Sequence, residues 1–188
     1  MKKFWLYLIG VILLGGAAAV IALAVNNTKD DNSKSNPTSD LSVSASDKKA
    51  CSIFSLADAR QILGAGAKGG SNSLESSAQD VAVSQCAYTQ SSGTSAPVSS
   101  AKTASLTMRI PKTADAERTN ASQFSLLKPA TAQTVSGYGD SAYWDAEHGQ
   151  LNILKNQIWY ILSYGPAAPS ARSLEQTKQL ADLLINKM

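Results

Sequence analysis

The sequence predicts an α+β domain, an antiparallel sheet of about five strands with helices packed on one face, preceded by one transmembrane helix and a disordered linker. Three observations predict it. An uncharged apolar run fills Phe4 to Val25, a polar stretch without periodicity runs from Asn26 to Ala50, and from Cys51 onward strand-like alternation is interleaved with helical periodicity.

The apolar run reads FWLYLIGVILLGGAAAVIALAV. As a helix it is about 33 Å long, matching a hydrocarbon core of about 30 Å. Lys2 and Lys3 precede it and Trp5 and Tyr7 sit at its start, so charge bias and the aromatic belt put residues 1–3 in the cytoplasm and everything after Val25 outside. Ala22-Leu23-Ala24 has the A-x-A form of a signal-peptide cleavage site, which keeps removal as the rival to a single-pass anchor. The run exceeds the roughly 7 to 15 apolar residues of such peptides, which favours the anchor. Gly15 with Ala19, and Ala18 with Ala22, have the small-xxx-small spacing through which two such helices can meet as a homodimer.

Residues 26–50 form the linker. With balanced charge and almost no apolar side chains the segment cannot offset the entropy of ordering, and as a coil it spans about 27 Å. The domain of residues 51–188 then carries eleven basic against ten acidic residues. A nucleic-acid reader is expected to show a basic stripe, and no Lys/Arg cluster follows Lys49, so nucleic acid is excluded as a partner.

The domain opens with ACSIFSLADARQILG. Ser55 followed by Asp58 has the spacing of a capping box, Leu56, Ala59 and Leu63 share a helical face, and Gly64 fits the helix stop. A strand through Cys86, Ala87 and Tyr88 begins at Val81 or Gln85. Leu106, Met108 and Ile110 alternate with polar residues over Ala104 to Ile110, and Pro111 ends that strand. Thr113 to Leu127 reads as a helix with Ala116, Phe124, Leu127 and Ala121 turned inward. Three strands follow, Ser141 to Trp144, Leu151 to Lys155 and Ile158 to Tyr164, with connections too short for anything but antiparallel pairing. Gly165-Pro166 breaks the last strand, and a helix capped at Ser170 or Ser173 presents Thr177, Leu180, Ala181 and Leu184 as its apolar stripe.

Two cysteines in a domain expected outside the cytoplasm are most simply a disulfide, Cys51 to Cys86. The loop it closes, about 36 residues, corresponds to roughly 4 kcal/mol in the chain-entropy model. Their spacing is not C-x-x-C and they lack companion ligands, so neither redox chemistry nor a metal is expected.

The Val135 to Gly165 stretch holds six of the chain's nine Tyr and Trp residues. Tyr138, Tyr143, Trp144 and Trp159 are the candidates for a binding surface. Alternation sends Tyr143 and Trp144 to opposite faces, so some of these rings face away from the helices unless cross-strand packing absorbs them. Other patterns are weaker. Gly64, Gly66 and Gly69 spell G-x-G-x-x-G but follow a helix instead of a strand. Ser125 to Lys128 spells S-x-x-K without its partner motifs. The sole histidine, His148, lies beside Asp145 and Glu147 in a turn that offers too few ligands for a metal. No catalytic residue, cofactor or metal site is expected.

ACSIFSLADARQILG, then CAY, then SGYGDSAYW, a strand with IWYILSY and a closing LADLLINKM together resemble small extracytoplasmic bacterial lipoprotein domains of unknown function, best represented in actinobacteria and similar to the PsbP-like α/β/α sandwich. The likeness covers most of Cys51 to Met188 and implies a binding or assembly module. The chain departs from that pattern in lacking a lipid-attachment cysteine, with the apolar helix in its place as anchor. The expected function is therefore a membrane-anchored extracytoplasmic binding or assembly module without catalytic activity, whose partner is an envelope protein, peptide or glycan. The alternative is an envelope-acting hydrolase or transferase using Asp140, Asp145, Glu147 and His148.

Overall fold

The computed structural model describes residues 49–70, 73–76, 80–90 and 101–188. The membrane span expected at 4–25 and the linker expected up to residue 48 lie outside them. Among the described residues no helix is long and apolar enough to cross a membrane.

The fold is α+β with an antiparallel sheet. Its elements are α1 (Ala50–Ile53), α2 (Leu56–Leu63), β1 (Lys68–Gly69), β2 (Ser73–Ser76), β3 (Val81–Gln90), β4 (Lys102–Pro111), α3 (Ala114–Leu126), β5 (Gln133–Thr134), β6 (Ser141–Asp145), β7 (Gln150–Lys155), β8 (Ile158–Pro166) and α4 (Leu174–Leu184). The strands run β1-β3-β4-β8-β7-β6-β5, and β2 shares with β1 the outer edge of β3. Every pair is antiparallel. The sheet is larger than the sequence predicts because β1, β2 and β5 are short edge pieces with little alternation of their own. The domain also starts earlier, since Ala50, expected in the linker, opens α1 and is buried.

Local chemistry accounts for the helix ends. Ser55 and Asp58 form the expected capping box on α2, Thr113 caps α3 through Ala116 N–H, and Ser173 caps α4 through Gln176 N–H. Asn156 and Gln157, at φ 51° and 63°, make the left-handed two-residue turn between β7 and β8.

The main core lies on one face of the sheet. Leu106, Met108 and Ile110 of β4, Tyr160 and Leu162 of β8, and Leu151 and Ile153 of β7 pack there against Phe54 and Ala59 beside α1 and α2 and Leu180 and Leu184 of α4. Cys51 and Cys86 are bonded, with Cα atoms 5.1 Å apart, fastening α1 to β3.

The sequence places all helices on one face, and here the structure corrects it. α3 lies on the opposite face, where Phe124 packs against Tyr143 and Trp159. That face carries its own apolar positions in β6, β7 and β8, which a single-sided sheet would leave in water. Leu127, expected inward, is instead exposed at the end of α3, as is Leu126.

Candidate functional site

β4 and β8 are neighbours in register, with Arg109 opposite Trp159. Strand alternation turns both toward α3. Along that helix Ala116, Asn120 and Phe124 recur every fourth residue and are the buried positions. The middle one of the stripe is polar. Asn120 is fully buried, and its Nδ2 donates to the backbone oxygens of Arg109 at 3.2 Å and Gln157 at 2.7 Å. Its Oδ1 accepts from Arg109 Nε at 3.4 Å. One amide thus fastens α3 to β4 and to the β7–β8 turn.

Arg109 is held on three sides. Nε donates to Asn120, Nη2 donates to Gln123 Oε1, and the guanidinium lies over the Trp159 ring, 5.1 Å from its centroid. The indole N–H of Trp159 donates to Asn152 Oδ1 at 2.9 Å, which fixes the ring that Arg109 covers. No ion pair found among the described residues includes Arg109. Burial pulls its pKa down from the ordinary arginine value.

The four aromatic candidates are all buried. Trp144 and Tyr138 belong to the main core, and Tyr138 donates its hydroxyl hydrogen to Asp182 on α4 at 2.7 Å. Burial first, and then this hydrogen bond, push the Tyr138 phenol up to about 12. Tyr143 and Trp159 do face away from α1, α2 and α4, as alternation requires, but α3 covers them with Phe124, whose ring centroid is 5.0 Å from Tyr143 and 5.6 Å from Trp159. An exposed aromatic surface made of these residues is therefore set aside.

The acidic turn divides. Asp145 is buried and its Oδ1 accepts from the backbone N–H groups of Glu147 at 3.1 Å and His148 at 3.3 Å, while Oδ2 meets His148 Nδ1 at 2.7 Å. The hydrogen bond and charge of Asp145 raise the His148 pKa above the ordinary histidine value. Asp140 sits at the other end of β6, about 17 Å away along the strand, where its Oδ2 accepts from Asn156 N–H. The two carboxylates cannot share a substrate bond. What remains is an imidazole oriented by one carboxylate, and its side-chain hydrogen bonding among the described residues is to Asp145 alone.

The motif spellings resolve as local structure. Ser125 Oγ donates to Ala121 O, whereas Lys128 Nζ donates to Thr134 Oγ1 and lies near the Tyr143 ring, so the S-x-x-K pair is not assembled. Gly64, at φ 96°, ends α2, and a Cβ on Gly69 would come within 2.8 Å of Ala87 O. Those glycines serve a helix stop and a close strand approach. No group of three or more His, Cys, Asp and Glu that could hold a metal occurs among the described residues.

Neither protein-family models, curated proteins nor solved structures give a match to the chain. Functional inference therefore rests on the geometry of this chain. Sequence reading passed over Arg109 and Asn120. The available signal was an asparagine on the inward stripe of a helix, where an unpaired amide would be costly and a partner was therefore to be sought.

Proposed function

We propose that this chain is a membrane-anchored, extracytoplasmic binding or assembly module, held by the apolar run 4–25 with the domain outside. The disulfide supports the compartment, since such bonds persist in oxidising surroundings. The resemblance to extracytoplasmic lipoprotein domains points the same way.

The observation that carries the binding part is the division of the second sheet face. α3 covers the part around Phe124, Tyr143 and Trp159. On β3 and β4 the same face presents Gln85, Ala87 and Thr89, all exposed, beside half-buried Thr103, Ser105 and Thr107. A polar, hydrogen-bonding strip next to an arginine that pairs with no carboxylate among the described residues suits a polar envelope ligand, whether protein, peptide or glycan.

Crosslinking on intact cells carrying the full chain, followed by affinity capture and mass spectrometry, tests this reading. One envelope component is expected to be captured and then lost when Ala87→Glu and Thr89→Glu place charge on the strip. Equal capture by both proteins refutes the strip as the surface, and protection of the domain from external protease refutes the topology.

The Asp145–His148 pair favours one second reading, an envelope hydrolase or transferase. In that case His148→Ala abolishes turnover of envelope material while binding persists.

A further inference from the structure

We propose that Arg109 is the anchor of an oxyanion subsite, taking the carboxylate or phosphoryl group of a ligand laid on the open strip of β3 and β4.

The atoms that bind Arg109 to the protein decide which atoms it can offer. Nε and Nη2 form one side edge of the guanidinium, and that edge is filled by the two amide oxygens of Asn120 and Gln123. No described residue accepts from Nη1 or from the second N–H of Nη2. Those groups form the end edge of the fork, the edge that matches two oxygens of a planar carboxylate or of a phosphoryl group. The two hydrogen bonds orient the group, Trp159 lies beneath it, and the indole is itself fixed by Asn152. The ordering cost that usually weakens an arginine contact is therefore met within the protein.

Charge points to an anion. Both oxygens on the side edge are neutral, and no ion pair among the described residues compensates the guanidinium. By register the nearest acid in the same cross-strand row is Glu75 of β2, opposite Val83, which is in turn opposite Arg109. That places its backbone about 10 Å off, two strand spacings away. Along β4, Thr107 precedes Arg109 on the same face, and its register partner Gln85 is exposed. An oxyanion on the fork thus has hydroxyl and amide groups next to it for the rest of the ligand.

This subsite gives the binding-module reading a ligand chemistry and rests on it. The test is arginine side-chain nitrogen NMR on the full chain in detergent micelles, titrated with sodium phosphate, sodium acetate and, at matched ionic strength, sodium chloride. Arg109 Nη signals are expected to move saturably with phosphate or acetate and not with chloride. The probe that saturates at the lower concentration separates a phosphoryl from a carboxylate ligand. Arg109→Lys, read on the Trp159 indole signal, should weaken binding by about tenfold or more, because a point charge replaces a fork. Thr107→Glu leaves Arg109 in place and sets a competing carboxylate beside it, so it should abolish the saturable shift. Equal, linear responses to all three salts overturn the proposal, as does an unchanged affinity in Thr107→Glu. Cell-surface capture that survives Arg109→Lys would remove this subsite while sparing the module reading.

Discussion

Asn120 Nδ2 donates to Gln157 O at 2.7 Å, joining the middle of α3 to the turn between β7 and β8 across 37 residues of sequence. Asn120→Ala leaves that oxygen and the backbone oxygen of Arg109 without this donor, and should cost about 1 to 3 kcal/mol in chemical denaturation. A loss no greater than that of an exposed substitution such as Ser122→Ala would refute the clamp.

Phe124 is the apolar half of the same attachment. Phe124→Ala should destabilise the domain by about 3 kcal/mol and uncover Trp159, shifting its fluorescence to the red. An unshifted spectrum would mean that α3 does not shield the ring.

Removing the disulfide by Cys51→Ser with Cys86→Ser should lower stability by about 2 to 5 kcal/mol, measured as a fall in the urea midpoint that reductant produces equally in the parent protein. Two alkylatable thiols in the non-reduced protein would contradict the bond and weaken the case for an oxidising compartment.

Asp58 supplies an acid-sensitive contact. Burial works against its charge, but hydrogen bonds from Lys187 and Ser55 outweigh it and hold the carboxyl below its ordinary value. Its contribution is therefore complete above the unfolded pKa of about 3.9 and is lost as pH falls through the folded value. Between pH 6 and pH 2.5 the parent should lose more stability than Asp58→Asn. Equal losses would show that the pair is not coupled to folding.

His148 titrates with the opposite sign. Asp145 raises its pKa, so the pair's contribution is full below about pH 6.5, the unfolded value, and fades as pH rises through the folded one. Proton NMR of the single imidazole should show a midpoint above 6.5, returning toward it in Asp145→Asn. Because the ring is exposed, the accompanying stability change should be small.

The long strands and capped helices were legible because each carries its own signal. Leu106, Met108 and Ile110 alternate without interruption, Ser55 and Asp58 spell their cap, and Asn156-Gln157 separates two apolar runs. The side of the sheet that α3 takes was not legible. Its periodicity says that Phe124 faces inward, but nothing local says which face receives it, and that depends on Tyr143, Trp159 and Arg109 arriving from three different strands. The same limit hid the candidate site. Arg109 reads as one polar position in an alternating strand until Asn120, Gln123 and Trp159 are assembled around it.

The placement of β8 between β4 and β7 has a consequence for how the chain is assembled. β4 follows β3 directly, yet its second edge is filled only by β8. During synthesis that edge, with Leu106, Met108 and Ile110 beside it, stays open until the chain has passed Ile158. In that interval the half-built sheet offers unpaired backbone groups to any other extended segment, a second nascent copy included. Early closure of the Cys51–Cys86 bond would then be more than a staple. It would pin α1 over the exposed strands while the remaining partner is still being made.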